Sequence, residues 1–160
     1  MTVQKMSIRN NIGPSFFGVC CLVTFWFICN FSIKAQDSGL TVIGNNEDVP
    51  SEIDRRQLIS VLRGEQQRWR EGGRVVLALM EPDTPIGRNV CTRVYNMSGN
   101  ELQKYFLLLV FQGKARPPNY FDTPEELEAF VARTPGAIGV VSQRTNDSVK
   151  VVLVDGNSSL

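Results

Sequence analysis

The chain has 160 residues, of which 42% are hydrophobic and 21% charged, with 17 basic and 16 acidic side chains and no histidine. This composition suits one ordinary globular core and a single domain, not a disordered chain. The lack of histidine removes Ser-His and Cys-His nucleophilic machinery and the common histidine-containing zinc sites. Carboxylate-only or lysine-based chemistry, such as a carboxylate-based hydrolase, stays open, but no such residues are grouped at an informative spacing, and no catalytic residue, metal ligand or cofactor is expected.

The first 35 residues read as a secretory signal peptide. Lys5 and Arg9 precede the apolar run "FFGVCCLVTFWFICNF", residues 16 to 31, and Ala35 sits at a cleavage edge. As a helix that run reaches roughly 24 Å, short of the hydrocarbon core of about 30 Å. Export to the periplasm or beyond, with a cut after Ala35, is therefore expected, and the membrane is met only through the leader. The leader holds Lys5, Arg9 and Lys34 and no acid, so 17 minus 3 leaves 14 basic residues against 16 acidic ones, a net charge of −2. No basic field remains for nucleic acid. Cys20, Cys21 and Cys29 leave with the leader, and Cys91 alone cannot form an intrachain disulfide; in a helix interior it reads as a packed thiol.

Residues 36–39 form a short mobile lead-in, and "LTVIGN" is a brief strand closed by Gly44 and Asn45. "VPSEIDRRQLISVLRG" has two overlapping helix starts, Ser51 and Asp54, before Leu58, Val61 and Leu62 at helical spacing and Gly64 as the stop. "EQQRWREGG" is a polar connection holding Trp69, and "RVVLALM" is a strand apolar enough to be buried on both faces. After the turn at Pro82 to Pro85, Thr84 reads as an N-cap with Pro85 at the first helical position. The same residues allow a second reading. Helix starts present free N–H groups to anions, so Thr84, the N–H groups of Ile86 and Gly87, and Arg88 could form a residual oxyanion site.

Ser98 and Glu101 form a capping box for a core helix with Leu102, Tyr105, Phe106 and Leu109 in one stripe. Pro117 and Pro118 lock "KARPPNYFD" into an extended connection. Thr123 and Pro124 open another helix with Leu127, Phe130 and Val131 inward, so the chain uses Thr-Pro simply to start helices. "AIGVVS" and "VKVVLV" are strands, and residues 156–160 form a frayed tail. The expected order is β-α-β-α-α-α-β-β, a mixed sheet flanked by helices over residues 40–155.

The series "LTVIGN", a helix ending in Gly64, "GEQQRWREGG", "RVVLAL", the Asp-Thr-Pro helix start and "TPGAIGVV" resembles the phosphate-binding-protein family of ABC-transporter receptors, in particular its short single-lobe relatives. The resemblance implies an α/β fold of the type II periplasmic binding-protein kind. Full-length members close two lobes around an oxyanion, and about 120 residues can build one. The family's Ser-Gly-Thr-Arg phosphate element falls on Thr84, Pro85, Ile86 and Gly87, so one hydroxyl survives. Pro85 has no amide proton to donate, and Arg88 follows one residue late, turned by about 100° on a helix. "GAIGY" appears as "GAIGV", with Val140 lacking the phenol.

The resemblance implies an exported, non-enzymatic domain similar to the substrate-binding component of phosphate transport, with weak or no stand-alone binding of phosphate or another oxyanion. The alternative is an interaction module, with a protein partner or a second copy covering the face of the missing lobe. An exposed apolar patch bordered by "QGKARPPNYF" would mark it.

Overall fold

The computed structural model describes residues 39–160. The leader, its cut after Ala35 and most of the 36–39 lead-in lie outside the described residues. Seven strands and four α-helices follow in the order β1 (Thr41–Gly44), β2 (Glu52–Ile53), α1 (Arg55–Leu62), β3 (Val76–Met80), α2 (Pro85–Val90), α3 (Gly99–Phe111), β4 (Asn119–Phe121), α4 (Pro124–Arg133), β5 (Ala137–Val141), β6 (Lys150–Val151) and β7 (Leu153–Val154).

The main sheet runs β4-β3-β5-β1-β6 and is mixed: β4, β3 and β5 are parallel, whereas β1 is antiparallel to β5 and β6. Alternation along the strands builds two cores. Leu77 and Leu79 of β3, with Ile138 and Val140 of β5, join α1, α2 and α3 on one face. Ala78 and Met80, with Ala137 and Val141, pack on Leu127 and Val131 of α4 on the other. The near-continuous apolar reading of β3 reflects this two-sided burial.

Each helix start has a local cause. Asp54 caps α1, its carboxylate accepting from the Gln57 N–H at 2.7 Å. Asp54 prevails over Ser51 because Glu52 and Ile53 are taken up in β2, which pairs with β7. Ser98 and Glu101 close the capping box of α3, and Thr123 caps α4. After α2 the helix widens to a π-turn, Cys91–Tyr95, which ends on Asn96 in the left-handed region, its N–H donating to the Cys91 carbonyl. That turn aims the buried Tyr95 hydroxyl at the Leu62 carbonyl, 2.9 Å away.

The observed order departs from expectation in four places, the first being β2, which adds a strand before α1. The segment after Pro118 is extended, as its prolines require, but it also adds β4 to the sheet edge, where a preceding proline leaves no ladder bond unmade. "VKVVLV" divides at Val152 into β6, which pairs with β1, and β7, which pairs with β2. The 156–160 tail is tied back instead of fraying: Asn157 bridges Val154, and the Leu160 N–H donates to the Leu40 carbonyl at 2.8 Å while its side chain packs on the core. Trp69, held in the polar connection, is buried. It is 2% exposed, and its indole N–H donates to the Gly136 carbonyl at 2.9 Å.

Two polar groups buried with the core are fully used. Asn45 donates to the Val131 and Ala132 carbonyls at the end of α4, at 2.7 and 2.9 Å. Glu128 of α4 accepts from the Thr145 hydroxyl and N–H and from the Asn146 N–H, holding the segment that leaves β5. Among the described residues no helix is long and apolar enough to cross a membrane.

Candidate functional site

In open α/β sheets ligands collect outside the carboxyl ends of the strands, which directs attention to the end of β3 and the start of α2. The Glu81 N–H donates to the Phe121 carbonyl at 2.8 Å, so the β3–β4 pair continues to the edge of the turn. The Glu81 carbonyl then accepts twice from Thr84, from its N–H at 3.0 Å and its hydroxyl at 2.8 Å. The same hydroxyl accepts from the Gly87 N–H at 3.0 Å. Thr84 is thus an N-cap whose donor and acceptor roles are both filled within the turn.

Gly87 is closed sterically as well. A Cβ at this position would lie 1.9 Å from the Glu81 carbonyl oxygen. The family's arginine falls on Gly87, and no side chain fits there without moving the turn. Arg88 is exposed, and its guanidinium donates to the Asp83 carbonyl, folding back on the turn. Ile86 is half-buried between the two cores, and its N–H is the donor the cap does not take up. Of the four candidate residues, the structure brings Thr84 and Gly87 together, but to satisfy each other.

Two carboxylates missed in the sequence reading, Glu81 and Asp83, flank the turn. Burial, reinforced by the Glu81 charge, pushes the Tyr120 phenol up to about 12. The Tyr120 hydroxyl is buried without a hydrogen-bond partner. Cys91 is 3% exposed, and burial raises its thiol above the usual range. Val140, where the family has a phenol, is packed in the core.

A different kind of surface lies on α3. Leu102 and Phe106 face inward, but Leu107 and Leu108 are each 57% exposed and Phe111 is 82% exposed. Beside them a groove of about 190 Å³ is lined by Leu107, Val110, Pro117, Pro118 and Tyr120.

No family model matches the chain, and no curated protein matches it. Solved structures do. An ABC-type phosphate transport receptor from Vibrio cholerae superposes with a TM-score of 0.58 at 14% identity, over 76% of this chain and 48% of that one. PstS from Borrelia burgdorferi gives 0.58 at 15% identity, over 74% and 48%. A Clostridium perfringens protein solved with bound phosphate gives 0.56 at 18% identity, over 74% and 46%. The chain spans about half the length of these structures, and what it shares with them is the fold: the mixed α/β lobe of phosphate-transport substrate-binding proteins.

Proposed function

We propose that the chain is an exported, non-enzymatic lobe of the substrate-binding-protein kind whose α2 start does not act alone as an oxyanion receptor site. The observation that carries this reading is the closure of the α2 start, where the Thr84 hydroxyl, the Gly87 N–H and the Glu81 carbonyl satisfy one another. What remains for an anion is the Ile86 N–H and Arg88, beside Glu81 and Asp83. A helix terminus contributes about 0.3–1 kcal/mol to a nearby anion, whereas micromolar affinity requires about 8 kcal/mol.

Calorimetric titration with phosphate at physiological ionic strength should give at most millimolar, salt-sensitive binding at this turn. A micromolar isotherm that is lost in Arg88→Ala overturns the reading and restores receptor function. Export is supported by the leader and by the fold shared with transport receptors. Intact-mass analysis of the exported protein should find a chain beginning at Gln36, and recovery of the full chain in the membrane fraction would contradict it.

A second reading, an interaction module, is favoured by the outer face of α3, whose exposed Leu107, Leu108 and Phe111 adjoin the "QGKARPPNYF" stretch. The occupant testable with the protein alone is a second copy. Sedimentation should then show a concentration-dependent dimer that Leu108→Glu abolishes.

A further inference from the structure

The amino-terminal end of the β3–β4 pair carries the charge that its carboxyl end lacks. Before β3 the chain folds back on itself as a short antiparallel ribbon. The Trp69 N–H donates to the Gly73 carbonyl at 2.8 Å and the Val75 N–H to the Gln67 carbonyl at 3.0 Å, bracketing a bridge between Arg68 and Arg74. A pair bracketed in this way makes no ladder bonds of its own and is the kind whose side chains lie closest on one face of the ribbon. Two arginine side chains therefore leave the ribbon from directly opposite positions, a like-charge pairing that destabilises a sheet pair.

Arg116 joins them from the segment after α3, which Gln67 ties to the ribbon by donating to the Lys114 carbonyl. The three arginines, with Gln66 and Gln67, line a cleft of about 160 Å³ floored by Val61 and Leu77. No carboxylate lines it, and among the described residues none pairs with Arg68, Arg74 or Arg116. The Arg68 guanidinium donates to the Gly72 carbonyl at 3.1 Å, which holds it in place without neutralising it. Acids are present on the other side of the ribbon, where Asp48, Glu52 and Glu71 surround Trp69. Arg70 lies among those acids, so the Trp69 face is mixed in charge, whereas the charged groups lining the cleft are all basic.

We propose that the Arg68–Arg74–Arg116 cleft binds a phosphoryl-type oxyanion. Guanidiniums match phosphate oxygens with paired N–H donors, and an anion between Arg68 and Arg74 converts their repulsion into two attractions. The volume suits one or two phosphoryl groups and falls below the roughly 300 Å³ at which pockets for larger ligands begin. This site is separate from the α2 start: the five residues of β3 place it roughly 17 Å away, at the opposite edge of the sheet. The phosphoryl group has two candidate sources, a free phosphate compound or the headgroup of an anionic phospholipid. The second is brought in by the exposed Leu107, Leu108 and Phe111 nearby in sequence.

The test combines melting curves of the chain in inorganic pyrophosphate, against sodium chloride of equal ionic strength, with co-sedimentation on phosphatidylglycerol and phosphatidylcholine vesicles. Pyrophosphate should raise the melting temperature saturably, with half-effect below millimolar. Arg74→Gln and Arg116→Gln should each shift that midpoint at least tenfold upward, and Arg133→Gln should leave it unchanged. Arg74→Glu, which places an acid opposite Arg68, should raise the melting temperature without anion and abolish the response. Binding confined to phosphatidylglycerol vesicles and lost in Arg74→Glu would assign the phosphoryl group to lipid. A response equal in the wild type and Arg74→Gln, or no response to either probe, overturns the proposal.

Discussion

The two ends of β3 solve opposite problems. At the carboxyl end, beside Glu81 and Asp83, the Thr84 hydroxyl and the Gly87 N–H bond to the chain itself and Arg88 gives one donor to the Asp83 carbonyl, which leaves the Ile86 N–H and the rest of that guanidinium. At the amino end, three guanidiniums line a cleft without a carboxylate. One end is largely saturated and acidic, the other open and basic, and they are joined by a strand of five residues. The lesson is that a helix start is an anion site only when its donors have nothing nearer to bond.

Several substitutions would break or sharpen this contrast. The largest effect is expected at Gly87: any Cβ there meets the Glu81 carbonyl oxygen at 1.9 Å, so Gly87→Ala should cost about 3 kcal/mol or more in urea unfolding. A fully tolerated alanine would mean that the turn is loose enough to admit a ligand. Next is Glu128→Ala, which removes the buried acceptor of the Thr145 and Asn146 N–H groups and should cost about 2 kcal/mol by the same measurement. Thr84→Ala removes a cap and should cost about 1 kcal/mol without changing phosphate affinity.

The smallest effects separate two tyrosines. Tyr95→Phe loses the bond to the Leu62 carbonyl and should cost about 1 kcal/mol, whereas Tyr120→Phe removes an unpartnered buried hydroxyl and should be neutral or stabilising by up to about 1 kcal/mol. The pH dependence has a definite sign. Tyr120 is raised in the folded chain to about 12, from an ordinary value near 10, so its contribution is fully present below about pH 10 and is lost as pH rises through about 12. Alkaline unfolding curves of Tyr120→Phe should be flatter across that window.

Helices and their caps were legible because their causes are local. Thr84-Pro85, Ser98 with Glu101, and Thr123-Pro124 announce starts within four residues, and Leu58, Val61 and Leu62 announce a face. Pieces that depend on a distant partner were not. β2 and β7 are two residues each and are strands only because they pair across about a hundred positions, and β4 is extended by Pro117 and Pro118 but becomes a strand only by meeting β3. The docked Leu160 belongs to the same class.

The candidate turn was half legible. The cap and the missing amide of Pro85 could be read directly, but Glu81 as the acceptor that closes Gly87 could not, because it depends on the angle of entry into α2. The arginine cleft left one unread signal, the Gly72-Gly73 turn in "RWREGGR", which folds Arg68 opposite Arg74. Arg116, 42 residues beyond Arg74, gave none.

The most direct test of the central claim is a phosphate titration followed by amide NMR, because it reads both ends of β3 in one experiment. The account predicts saturable shifts for the amides of residues 67–75 and 115–116, with those of Ile86, Gly87 and Arg88 moving little and without saturation below millimolar phosphate. Saturable micromolar shifts at Ile86, Gly87 and Arg88, with the ribbon unmoved, would contradict it.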